Sequence, residues 1–442
     1  MIRISIAATL VVAGTLPRAS AAADAAPISE GVARTGPPGC AGPLDAEAVV
    51  RCALSASPEV REARAQVAAA EGRRTTADVL LPNNPTLSGT VSNRRRPPPE
   101  EASVLNWSVV LSQELQIAGQ RGARVDVADA DVVARNRRLG VAEQEVAAGA
   151  LAAYFEAVAA EETYRFAAAL ADTAQALATY AEGRAKEAVL AGIEADVARA
   201  EATRIALVRF EAERRVTDAR AVLGALLDVM PQNLKLADGL PPAPRVNLPT
   251  GSLEEQALRL RGEVAAAEME RQVLERRLVL VRRERIPNPT ISAFAEKGEI
   301  NDRILGIGLS FPLPLPSPLG QTRAGQIAEN VAQIRAAEAS EELVRRRVRV
   351  EVARAQSAFK ARQGAAALFT PDLLTRARAD LGGLREALAS RQLSLREGLQ
   401  WQRSLIELLQ ADIEARLGRA LAWVDLRRVV GIPLAAVQGG GR

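Results

Sequence analysis

One proline–asparagine break occurs twice in this chain, nearly half a chain length apart. Residues 81–88 read Leu-Pro-Asn-Asn-Pro-Thr-Leu-Ser, and residues 286–292 read Ile-Pro-Asn-Pro-Thr-Ile-Ser. In an ungapped alignment Val60 falls on Val264, Asn84 on Asn288, Pro85 on Pro289, Thr86 on Thr290 and Ser88 on Ser292, an offset of 204 in 442 residues. A repeat of that length is too long for a solenoid unit. It predicts two half-molecules on one plan: helix, proline break, two short strands, long helix.

Both halves follow that plan. A helix is expected from Asp45 to Leu80, stopped by the Pro82–Pro85 segment, which removes donors and restricts the backbone. Residues 86–93 and 105–113 alternate apolar and polar with period two, the signature of strands. A long helix starts near Gln120, where Val132, Leu139 and Val146 recur every seventh residue as in coiled coils. It is expected to reach about Ala188 and to turn at Ala191-Gly192-Ile193. The return helix ends near Leu227. After a Pro-rich linker (231–251), the second half offers a helix over Leu253–Glu284, strands at 290–296 and 303–311, and a rigid Pro312–Pro318 segment. A long helix then starts near Gln321, with interruptions near Gly364 and Pro371. Val344, Val348, Val352, Ala355 and Phe359 form one apolar stripe on it. Gly398 is the counterpart of Gly192, and the last helix ends near Val430. Ala118-Gly119-Gln120 matches Leu319-Gly320-Gln321, and Phe155 matches Phe359.

Composition narrows the function. The chain has no histidine, two cysteines and three methionines. That excludes histidine-based acid–base and nucleophile systems and most zinc or copper sites. With no phosphate-binding glycine loop either, no enzyme, cofactor or metal site is expected. Aromatics are 3% while alanine abounds, so helices must pack backbone close to backbone. The net charge is +4, but basic and acidic residues are interleaved along helices, as on solvated faces, and no nucleic-acid partner is expected. Residues 1–22 read as a secretory signal: Arg3, an apolar run to Leu16, and a small-residue region with cleavage between Ala21 and Ala23. A Pro/Gly-rich leader (23–44) follows. In an exported protein Cys40 and Cys52 read as a disulfide; a lipid anchor on Cys40 is the rival reading.

Pattern leads to architecture. Each half supplies two strands of the length a tilted membrane strand needs. Four strands cannot close a barrel, and open edges are not tolerated in lipid. Several copies must therefore share one barrel, and three would give twelve strands. The helices are charged throughout and project from the membrane, about 100 Å long at ~1.5 Å per residue. The fold class expected is mainly α with a small β part. Long helical hairpins form a periplasmic α-barrel, and four membrane β-strands per chain join a trimeric twelve-strand β-barrel, from two internal repeats (45–230 and 252–435) before a short tail (436–442). The alternative is a soluble periplasmic coiled-coil adaptor or scaffold with a small β-domain at its base.

Three segments carry a family resemblance in their order and spacing: Leu111-Ser-Gln-Glu-Leu-Gln-Ile-Ala-Gly-Gln-Arg121 with Arg124, Pro287-Asn-Pro289, and Leu305-Gly-Ile-Gly-Leu-Ser-Phe-Pro-Leu-Pro-Leu-Pro316 before Gly320. Over about residues 45–435 the chain resembles the TolC-like outer-membrane efflux proteins, and within them the CzcC-type branch of heavy-metal resistance-nodulation-division pumps. The resemblance implies a homotrimer in the outer membrane with a periplasmic helical portion. It implies a passive exit duct, served by a periplasmic adaptor (membrane fusion protein) and an inner-membrane transporter, for heavy-metal cations or alternatively for drugs. It also implies adaptor-docking tips at Ala191, Gly192 and Ile193 and at Glu397, Gly398 and Leu399. Every hairpin needs a turn, however, so a purely structural role is the other reading of both glycines.

Near those tips Glu194, Asp196, Trp401, Arg403 and Glu407 are candidate aperture residues. Three copies would ring them around an axis, although a solvated helix face explains the acids equally well. Arg403 and Trp401 depart from a purely acidic gate. Pro85, Pro287 and Pro289 mark the helix-to-strand breaks. The Arg276–Arg285 stretch ends at the second of these, on a solvated face or near lipid headgroups.

Overall fold

The computed structural model describes residues 40, 42–95, 103–237, 239–240, 252–297, 302–315, 320, 322–389 and 394–434. The expected signal segment and most of the leader lie outside them, as do most of the linker beyond 240 and the tail.

The first half begins with β1 (Pro43–Leu44), α1 (Ala46–Ala56) and α2 (Pro58–Ala77). Strands β2 (Thr86–Arg95) and β3 (Ser103–Glu114) follow, then the long α3 (Gln120–Lys186) and the return helix α4 (Gly192–Leu227). After a 3-10 turn and β4 (Lys235–Leu236) the order recurs. It runs α5 (Leu253–Leu260), α6 (Gly262–Arg283), β5 (Thr290–Lys297), β6 (Arg303–Ser310), α7 (Ala324–Ala367), α8 (Pro371–Ala389) and α9 (Leu395–Val430). At 67 residues, α3 is a rod of about 100 Å.

Local chemistry explains where the helices stop. The single helix expected over 45–80 is two helices. Asp45 caps the first by accepting from the Ala48 amide at 2.7 Å, and Ser57 followed by Pro58 opens the second. Pro at the first helical position is preset for a helix start. The helix expected over 253–284 breaks at Arg261, the residue 204 beyond Ser57. Arg261 is extended and buried, and its guanidinium meets Glu263 at 3.0 Å and Glu351 at 2.5 Å. Gly364 does not interrupt α7, which runs to Ala367; the break comes just before Pro371.

The helix starts keep the offset of 204, with Gln120 opening α3 and Ala324 opening α7, three residues later than the expected start near Gln321. Gly119 precedes α3 in the left-handed region (φ 71°), and the residue in that state before α7 is Arg323 (φ 53°). Gly119 therefore corresponds to Arg323, not to Gly320. Thirteen residues separate β6 from α7 where five separate β3 from α3, and the longer connection contains the proline segment.

A core at the waist gathers α1, α5, the middle of α3 and α7, and the end of α9. It contains Val49, Val50, Leu151, Tyr154, Phe155, Val352, Phe359, Trp423 and Leu426. Alanines 147, 150, 153 and 157 of α3 are buried there and allow close helix approach. The leader and the linker are not featureless: β1 pairs in parallel with β4 at this core. Cys40 and Cys52 are both buried in it and joined, with Cα atoms 5.7 Å apart.

The four longer strands make one antiparallel sheet in the order β2-β3-β5-β6. Alternation gives it two unlike faces. One carries Leu87, Val91, Leu105, Trp107, Val109, Leu111, Ile291, Leu305, Ile307 and Leu309. The other carries Thr86, Ser88, Thr90, Asn106, Ser108, Ser112 and Ser292, with Phe294 over Gly306. No described residue covers the apolar face, and Ile307 is 88% and Leu87 70% exposed. No helix among the described residues is long and apolar enough to cross a membrane.

Candidate functional site

Two regions hold the sequence-predicted positions: the junction between strands and helices, and the far ends of the hairpins. At the junction, the two proline breaks meet through side chains. The Asn288 amide donates to Glu114 Oε1 at 2.7 Å, and Asn83 of the first break donates to Glu114 Oε2 at 2.8 Å. Gln120, 1% exposed, donates to Asn288 Oδ1 at 2.8 Å and accepts from the Ala118 amide at 2.9 Å. Pro289 lends its carbonyl to the Leu115 amide at 2.9 Å. Arg283, from the arginine-rich stretch, donates to the Gly119 carbonyl at 2.7 Å. A Cβ on Gly119 would lie 2.9 Å from the tip of that flexible guanidinium, which could give way, so the positive φ is what favours glycine here. Arg121 reaches back to Asp78 at 2.6 Å, at the C-terminal end of α2. Pro85, Pro287 and Pro289 thus sit beside a polar knot that ties the halves together where helices give way to strands.

At the first hairpin end, α3 closes with Ala188 in the left-handed region and the Val189 amide on the Arg184 carbonyl at 3.0 Å. Ala191 is the extended cap and Gly192 the first residue of α4. Ile193 is 72% exposed, and Val189 and Val197 are exposed beside it. Glu194 lies in the first turn of α4, where the helix dipole favours a carboxylate. Asp196 is exposed and near Arg199, which binds Glu182 across the hairpin at 2.8 Å.

The second end is built differently. Gly398 does not form a turn there: Ser394 is the cap of α9, which starts at Leu395, and residues 390–393 lie outside the described residues. Ser394 and Glu397 form a capping box, and the Ser394 hydroxyl and amide hold the Glu397 carboxyl below its usual range. Gly398 is within α9 and buried, and Leu399 is 6% exposed in the hairpin core.

Of the candidate aperture residues, Trp401 is exposed, while Arg403 makes the most definite contact, with a residue that the sequence reading missed. Glu201 of α4, 3% exposed, receives Arg403 of α9 at 2.5 Å and Arg204 of its own helix at 2.6 Å. Burial alone would raise the Glu201 carboxyl, but the two guanidiniums outweigh it and push it down to about 2. Glu407 adds to the acidic surroundings of Arg403. Further along, Arg416 joins α9 to α3 through Glu162 at 2.5 Å and holds buried Asp412 at 3.0 Å. Gln402, the residue before Arg403, is 0% exposed, and among the described residues neither polar atom of its amide has a partner. One signal for Glu201 was present in the sequence: its i+3 spacing to Arg204. Its partner across the helices was not legible there.

The same long hairpins, capped at one end by a four-stranded sheet, are the fold of outer-membrane efflux channels. Among solved structures the chain is similar to CusC, described as forming a transmembrane channel, with 16% identity over 87% of this chain and 92% of that one, at a TM-score of 0.72. The outer-membrane channel OprN matches at 20% identity over 88% and 90%, with a TM-score of 0.71. The outer membrane protein VceC of Vibrio cholerae matches at 17% identity over 87% and 96%, with a TM-score of 0.68. The sequence matches no family profile and no curated protein.

Proposed function

We propose that this chain is the outer-membrane exit duct of a tripartite efflux pump, working as a homotrimer. The observation that carries the reading is the four-stranded sheet. Among the described residues it is apolar on one uncovered face and polar on the other, and both outer strands, β2 and β6, have an unpaired edge. In water it would expose a broad apolar surface. In hydrocarbon its edges could not stay open. Three copies closing a twelve-strand barrel resolve both difficulties, and the likeness to solved channels supports that closure. The charged hairpins then extend into the periplasm as a helical tube.

The duct is passive, with no covalent chemistry. Its partners are a periplasmic adaptor and an inner-membrane resistance-nodulation-division transporter. The first docking tip is Ala191, Gly192 and Ile193, where exposed apolar side chains gather. At the second, Glu397 is at the surface while Gly398 and Leu399 are buried, so the contact there falls on the capped turn. Glu194, Asp196, Trp401, Arg403 and Glu407 line or brace the aperture. The cargo is heavy-metal cations, a choice supported by the CzcC-type sequence segments.

The cargo is tested by deleting the gene and measuring tolerance of zinc, cobalt, cadmium, copper and several drugs, with the wild-type gene restored as control. Lost metal tolerance is expected. Unchanged metal tolerance with lost drug tolerance would overturn the metal assignment and leave a drug duct of the same architecture.

A further inference from the structure

The strand ladders fix how one copy meets the next, on the reading that three copies share a barrel. Thr86 faces Ser112 in the first strand pair, and Thr290 faces Ser310 in the second. Strand β5 thus takes the place of β2, and β6 that of β3. Between the pairs Ser112 faces Ser292, two residues beyond Thr290. The same step at the free edges sets Ser310 against Ser88 of the partner subunit. Antiparallel pairing then carries Ile307 to the partner's Val91 and Arg303 to the partner's Arg95. The faces agree, since Arg303 and Ile307 lie on the apolar side of β6 as Val91 and Arg95 do on β2. A slip of one residue would turn one strand's apolar set to the wrong side.

This register assembles a charged site. At the strand ends remote from the helices, Lys297 faces Arg303 on one side and Trp107 on the other. Arg95 of the partner subunit comes next in line. Three cations then stand on adjacent strands, on the apolar face, just beyond the apolar band. Glu296 points to the opposite face by alternation. Among the described residues Arg95, Lys297 and Arg303 form no ion pair. Like charges directly opposite one another destabilise a ladder, so this row calls for an anion. At the edge of an apolar band, beside a tryptophan, the anion that fits is the phosphate of a lipid headgroup.

We infer that each seam between copies binds the phosphate of an anionic lipid headgroup through Lys297 and Arg303 of one copy and Arg95 of the next. Leu305 and Ile307 lie below to take the acyl chains. The phosphate neutralises the row, so the lipid also holds the seam together.

Arg95→Cys combined with Arg303→Cys in the full chain tests the register. Directly opposed residues have Cα atoms about 4.5–5.5 Å apart, within disulfide reach, and the two native cysteines are paired with each other. On oxidation the double variant is expected to give covalent dimers and trimers that survive heating in detergent. Arg95→Cys with Ile307→Cys, four residues out of register, should not. A membrane trimer that fails to cross-link overturns the seam site and leaves the duct standing, whereas no membrane trimer at all overturns the duct and the seam with it.

The ligand is tested by native mass spectrometry of the trimer in phosphatidylcholine nanodiscs doped with lipid A. Arg95→Gln, Lys297→Gln and Arg303→Gln should each weaken lipid A retention about fivefold, and Glu296→Gln should leave it unchanged. Wild-type retention in all three variants refutes the site. Displacement by inorganic phosphate at matching concentration refutes the lipid assignment in favour of a free-anion site.

Discussion

Replacing Glu201 by Gln should loosen α4 from α9 near the hairpin end. The carboxylate is buried and bridges Arg204 and Arg403 at 2.6 and 2.5 Å. Its pKa of about 2, against 4.5 for a free glutamate, sets a ceiling near 3 kcal/mol at ~1.36 kcal/mol per pH unit. The two guanidiniums are 50% and 53% exposed. Water will solvate them once the carboxylate is gone, so the expected loss is about 2 kcal/mol, the range of a charge-assisted hydrogen bond. Hydrogen exchange at neutral pH should report amides of 198–206 and 399–407 opening about thirtyfold more often in the variant. The pH dependence has a definite sign. A carboxyl more acidic folded than unfolded stabilises fully above about pH 4.5, and that contribution disappears as pH falls towards 2. The wild type should therefore lose its advantage over the variant across that window. A change below about threefold at neutral pH, or parallel pH profiles, would refute the bridge.

Other consequences follow from single contacts. Cys40→Ser with Cys52→Ser opens a short loop and should lower stability by about 3 kcal/mol, read as a lower unfolding temperature; reductant should do the same to the wild type and nothing further to the variant. Gln402→Leu removes a fully buried amide without partners and should raise the unfolding temperature, by about 1–3 kcal/mol in stability. A lower temperature would mean that the amide is satisfied after all. Asn288→Ala strips Gln120 and Glu114 of a shared partner and should cost about 1–3 kcal/mol. Faster hydrogen exchange confined to residues 114–123 would place that cost at the junction.

Local patterns were the legible part of this chain. Period-two alternation placed β2 and β3, and the internal repeat placed β5 and β6, all to within two residues at each end. The stripe Val344, Val348, Val352, Ala355 and Phe359 marked the inward side of α7, where four of the five are buried. Long-range and backbone events were harder to read. The breaks at Ser57 and Arg261 needed a cap and a buried ion pair with Glu351, some ninety residues away in the second case. Gly364 and Gly398 suggested turns, yet both are tolerated inside helices because packing and capping decide the ends. Arg323 takes the left-handed role that sequence matching gives to Gly320. Glu201 showed in the sequence only through its i+3 spacing to Arg204, because its partner Arg403 lies across the helix pair.

The proposed outer-membrane duct of three copies has a definite biochemical signature. It is tested most directly by expressing the full chain in a Gram-negative host, separating the membranes by density and running the outer-membrane fraction with and without heating. A species of three chains in the outer membrane that collapses to one chain on heating is the expected result. Recovery of the protein as a soluble periplasmic monomer would contradict it.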